Sequence, residues 1–138
     1  SWGVPSSIIG LNLNELSFAS LVGKLFYPIA LAIGVPATDA LNAGSLLGTK
    51  MMINEFVAYE QLVELSNTKQ IQTLSTAMLS VALCGFANFA SIGILLGGLG
   101  TIIPERKPEI ARMGVKAVFA ASLANLMSAA LAGILVGL

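Results

Sequence analysis

The chain has 138 residues, of which 56% are hydrophobic and only 10% charged, with a formal net charge of zero and a mean hydropathy of +0.87. Ordinary globular domains are about 25% charged. Too few polar residues remain here to cover a soluble core, so the expected class is an all-α integral membrane protein. Zero net charge argues against nucleic acid as a partner. With no histidine and one cysteine, Cys84, the chain cannot build a disulfide framework or a zinc site needing His or several Cys, nor hold Ser-His or Cys-His catalysis.

Residues 1–16 mix Pro5, Gly10, Asn12, Asn14 and Glu15 with isolated aliphatics. That is too polar to span, and it suits an interfacial or loop segment with Trp2 as a headgroup anchor. Ser1-Trp2-Gly3-Val4-Pro5 has neither a basic n-region nor an h-region, so no signal peptide is expected. Residues 17–34 read as a transmembrane helix, with Lys24 near one end to snorkel and Pro28 to kink it.

Pro36 then stops the chain in a turn, and Thr38 or Asp39 is expected to cap the helix that follows. That helix carries Gly44-Ser45-Leu46-Leu47-Gly48, a small-xxx-small spacing that permits close backbone contact. Between polar edges at Lys50 and Glu60 lies an apolar patch with Asn54-Glu55 inside it. Each flank is short of the roughly 20 residues needed to cross a bilayer. Residues 39–64 are therefore expected to form a re-entrant helical hairpin with Asn54-Glu55 at its tip. The polar residues from Glu60 to Thr73 return the chain to an aqueous interface.

No charge occurs between Lys69 and Glu105, a run of 35 positions. One straight helix of that length would be about 52 Å long, against a hydrocarbon core of about 30 Å. Its centre, Cys84-Gly85-Phe86-Ala87-Asn88-Phe89-Ala90-Ser91, holds a glycine, an amide and a hydroxyl. A discontinuous transmembrane helix over 70–104 accommodates both facts, because an unwound turn offers polar groups where a ligand can sit. Pro104 to Glu109 is the most charged stretch; with Arg112 and Lys116 it carries four basic residues, which the positive-inside rule places in the cytoplasm. Residues 110–138 form the last transmembrane helix, with Asn125 and Ser128 three apart.

Each polar residue in these segments has two readings. A carboxylate such as Glu55 at membrane depth costs several kcal/mol and usually faces a cavity or partner; otherwise it is interfacial, in line with Glu60 and Glu64. Asn88 and Ser91 face the same way on a helix and serve either a ligand or interhelical hydrogen bonds of about 0.6 kcal/mol each. Phe86 is packing unless Asn88 lines a site, in which case it is an aromatic wall for a flat ligand. Cys84 is expected to be a small packing residue. The glycines at 93, 97, 98, 133 and 137 are expected to be helix contacts; no metal site is expected.

Three stretches together resemble the concentrative nucleoside transporters: Gly44 to Lys50, Asn54-Glu55-Phe56-Val57-Ala58-Tyr59, and Ala82-Leu83-Cys84-Gly85-Phe86-Ala87-Asn88. Ile92 to Leu99 and the Pro-Glu-Arg-Lys loop continue the resemblance in the same order. It covers nearly the whole chain, but only the C-terminal half of that family's transport core. It implies one half of an inverted-repeat transporter, with ion-coupled (sodium or proton) nucleoside symport by alternating access in the cell membrane. By this resemblance Glu55 bonds ribose hydroxyls, Asn88 and Ser91 complete the ribose contacts, and Phe86 flanks the nucleoside. Family members often carry two serines where this chain has Ala90-Ser91, and Ser91 is taken as the match. The family's first hairpin, with its Gly-Gln-Thr-Glu signature, is not in the sequence; that half is expected to hold the coupling cation and most nucleobase contacts. The implied partners are a nucleoside, membrane lipid, the other half of the transporter and two further copies in a homotrimer. The rival expectation is a non-transporting helical membrane module in which Glu55 and Asn88 are structural glue; an enzyme is not expected.

Overall fold

The structure, a computed structural model, describes residues 18–138, so the expectations for residues 1–16 and Trp2 lie outside the described residues. The regular structure of the described residues is all helical, with no strand. Its helices are α1 (Phe18–Ala32), α2 (Ala40–Met52), α3 (Glu55–Asn67), α4 (Thr73–Ala82), α5 (Phe89–Ile102) and α6 (Lys107–Gly137), with a single 3₁₀ turn, Pro104–Arg106, before the last.

Helix α1 carries Pro28 inside it and ends in a Schellman turn: Val35 N–H donates to the Ala30 carbonyl (3.1 Å) and Gly34 N–H to that of Leu31 (3.0 Å). Gly34 takes φ +98°, a conformation that costs a side-chain-bearing residue about 1–2 kcal/mol. The turn sends the chain back so that α2 packs along α1. The contact is set by Gly44 and Gly48: a β-carbon on Gly44 would lie 2.5 Å from the Gly23 carbonyl oxygen, and one on Gly48 1.7 Å from Val22 Cγ1. The small-xxx-small spacing thus acts between α1 and α2.

Helices α2 and α3 meet at Ile53-Asn54, and α3 runs on to Asn67, where Lys69 takes the left-handed conformation (φ 55°) to close it. Helix α4 packs on α6, as does α5, and the segment 83–88 joins α4 to α5 as irregular backbone. The core gathers residues from five helices, among them Ala30, Ala43, Leu46, Ala58, Leu62, Met78, Leu79 and Ala129. So many alanines let the helix backbones approach closely. Pro108, in the first turn of α6, lets that helix begin at Lys107, three residues before the expected boundary. Helix α6, with its 3₁₀ turn, is the one described helix long and apolar enough to cross a membrane.

Two sequence expectations are corrected here. Within this chain the glycines of α5 do not all pack: β-carbons at Gly93, Gly97 and Gly98 would meet nothing within 4 Å, because α5 rests on α6 through Ile92, at Gly114, and on Lys107, at Gly100. On α6, Gly133 packs on Met78 while Gly137 faces open space. Cys84 is exposed rather than packed, since the irregular segment turns its side chain outward.

Candidate functional site at two helix breaks

Both breaks are closed by an asparagine in extended conformation that caps the next helix. Asn54 Oδ1 accepts from Val57 N–H (3.0 Å) at the start of α3, and Asn88 Oδ1 accepts from Ser91 N–H (2.9 Å) at the start of α5. Each N-cap satisfies a helix donor that would otherwise lack a partner. Upstream of the second cap, Gly85 takes φ +86°, which turns the backbone out of α4.

The caps bring the expected site residues together. Glu55, the first residue of α3, accepts at Oε2 from Asn88 Nδ2 (3.1 Å) across 33 positions of sequence. Its negative charge sits at the favourable, N-terminal end of its own helix. Asn88 is 3% exposed, and its Oδ1 is also 2.9 Å from Ser91 Oγ. The Ser91 hydroxyl lies within reach of the Phe86 carbonyl as well, and with one proton it donates to one acceptor at a time. Glu55 Oε1 has no partner among the described residues. Phe86 stands 79% exposed beside this cluster, with Phe89 partly exposed one turn on. Two helix N-termini, a half-buried carboxylate with a free oxygen, an amide and a hydroxyl thus converge next to an open aromatic face.

Two further polar residues, Lys50 and Asn125, hold the second break, and a third, Asp39, holds the start of α4; the sequence suggested other roles for Lys50 and Asp39. Lys50, expected as a polar edge, is buried: its Nζ donates to the carbonyls of Ala82 (2.8 Å) and Cys84 (2.9 Å). Asn125 Nδ2 donates to the same Cys84 carbonyl (2.5 Å), whereas Ser128 only bonds back along its own helix. Asp39 makes no side-chain cap on α2. Its Oδ2 reaches across to accept from Gln72 N–H (3.0 Å) and Ser75 Oγ (2.5 Å) at the start of α4. Helix α4 thus has an anion at its N-terminus and a cation at its C-terminus, the arrangement that its dipole favours, both supplied from the neighbouring α2. A hint was available in the spacing: 11 residues separate Asp39 from Lys50, about 16 Å of helix, close to the length of the ten-residue α4.

Residues 3–133 match the family model described as the Na+ dependent nucleoside transporter C-terminus. The chain belongs to this family. Among curated relatives, it is 47% identical over 135 residues to the uncharacterized transporter YutK of Bacillus subtilis, covering 97% of this chain and 33% of the relative. It is 40% identical over 129 residues to the nucleoside permease NupC of Helicobacter pylori, covering 91% and 31%. Among solved structures, CNTnw in an inward-facing substrate-bound state superposes with a TM-score of 0.82 at 48% identity, over 88% of this chain and 30% of that one. The chain therefore spans about a third of the length of the nucleoside transporters it matches, and its family is one of membrane transporters.

Proposed function

We propose that the protein carrying this chain is an ion-coupled nucleoside symporter working by alternating access, and that this chain supplies the ribose-binding half of its site. The observation that carries the reading is the Glu55–Asn88 bond joining two helix breaks with one carboxylate oxygen left free. That oxygen and the remaining Asn88 amide hydrogen form an acceptor–donor pair suited to a vicinal diol. Ser91 adds a hydroxyl, and the exposed Phe86 offers a face to a planar base. In this reading residues 39–64 re-enter the membrane without crossing it, and residues 70–104 cross it as a broken helix. The coupling cation, sodium or proton, is held mainly by the other half of the transporter. The whole works as a homotrimer in the plasma or inner membrane.

A specific observation favours one rival. Asn88 Oδ1 is already engaged by Ser91, as a purely structural amide would be in a non-transporting membrane module. Equilibrium binding to the full-length protein separates the two. Uridine is expected to bind at least tenfold more tightly than 2′,3′-dideoxyuridine, since about 1.4 kcal/mol is tenfold and two hydroxyl contacts are lost. Indifference to the missing hydroxyls, or no uridine binding, would leave the module reading.

The basic loop after α5 gives a topology test. Cysteine placed at Lys107 in a Cys84-free protein is expected to be shielded from an impermeant reagent in intact cells and labelled after permeabilisation. Labelling from outside alone would invert the orientation.

A further inference from the structure

Lys50 is 4% exposed, and its ammonium meets oxygens that carry no formal charge. Among the described residues the one ion pair is Arg106–Glu109, so no carboxylate meets Lys50 at contact distance, although Glu55 is near enough to interact with it electrostatically. Its partners are the carbonyl of the last residue of α4 and that of Cys84, in the unwound turn beyond. The carbonyls at a helix C-terminus carry the negative end of the dipole. In transporters built on broken helices, half-helix C-termini and unwound carbonyls are where sodium ions or protons are held. A buried monovalent cation on two uncharged carbonyl oxygens at such a place has part of the oxygen set that an alkali ion takes.

We propose that Lys50 is a resident cation: its ammonium occupies a monovalent-cation site formed by the carbonyls of Ala82 and Cys84, with Asn125 as the neighbouring amide. The inference rests on the transporter reading for what the helix break is for, though the site itself is defined by these contacts alone. A charge fixed to the chain stays in place through the cycle, so this break needs no mobile ion and is not a coupling site. Removing the ammonium exposes carbonyl oxygens that a sodium or potassium ion can take over.

The test reads thermal stability of the purified full-length protein in sodium, potassium or choline chloride at constant ionic strength. Lys50→Met is expected to melt several degrees below the wild type in choline. Sodium or potassium should recover part of that loss through a saturable response that the wild type lacks. Lys50→Arg keeps a charge at the carbonyls and is expected to show only the wild-type cation response. Three results would overturn the proposal. One is a Lys50→Met protein whose cation response matches the wild type. Another is the same variant failing to fold in every cation. The third is Lys50→Arg being as impaired as Lys50→Met, which would mean that shape matters and charge does not. Because melting needs no nucleoside, a wild type that does not bind uridine would sink the transport reading without deciding this one.

Discussion

Glu55→Gln is expected to weaken uridine binding roughly 10- to 150-fold in the full-length transporter, with surface expression unchanged. The size follows from a charge-assisted hydrogen bond, whose loss costs about 1.5–3 kcal/mol. Glutamine keeps the shape of the side chain and can still accept from Asn88 through its own oxygen, so the hairpin contact survives while the second acceptor becomes a donor. Asn88→Ala is expected to lose a similar amount, but that change also removes the N-cap of α5, worth typically about 1 kcal/mol. Asn88→Ser separates the two effects: serine caps well but does not reach Glu55. The ligand arm decides between recognition and folding. 2′,3′-Dideoxyuridine lacks the hydroxyls that Glu55 would accept from, so it should lose much less than uridine on Glu55→Gln. Coupling between side chain and ligand group is then measured as a double-mutant cycle. Equal losses for both ligands would make Glu55 structural.

The second large effect is expected at a position far from any ligand. Gly44→Ala places a methyl group 2.5 Å from the Gly23 carbonyl oxygen, 2.9 Å from Tyr27 N and 3.1 Å from the Phe26 carbonyl carbon, all of them backbone atoms of α1. Backbone cannot rotate aside, so α1 and α2 must separate along their whole contact. Overpacking typically costs about 1–3 kcal/mol and occasionally more, and this site belongs at the upper end. At Gly48 the tighter clash is with the Val22 side chain, which can change rotamer, so Gly48→Ala is expected to cost less despite the shorter distance. Thermal melting of the purified variants checks the order. A Gly44→Ala protein as stable as the wild type would mean that the α1–α2 contact is not this close.

What could be read beforehand was local. Asn54 and Asn88 announced two breaks because an amide amid apolar residues is also a residue that caps a helix, and Gly85 marked where the backbone could leave α4. Beyond the hint in their spacing, the roles of Asp39 and Lys50 were not legible, since each is decided by a helix more than 30 positions away. A sequence neighbour made Asp39 look like the cap of α2. Its own backbone is near-helical there (φ −103°, ψ −10°), which frees the side chain to serve α4 instead. The glycines of α5 misled for the opposite reason. Their spacing permits a close helix neighbour, but spacing alone does not say that this chain itself supplies one. Helix α3 runs through Glu60 and Glu64 to Asn67, because glutamate is a good helix former.

The paired caps have a consequence for how the site behaves when nothing occupies it. Asn54, Asn88, Ser91 and one oxygen of Glu55 already find partners within the protein. If the proposed site is empty, only the second Glu55 oxygen and the spare amide hydrogens of Asn54 and Asn88 are left for solvent. In the proposed site a sugar would gain bonds at those few groups and exchange bonds at the others, which would keep its residence moderate. Passage through a carrier demands such moderation, since a molecule held too well is never delivered.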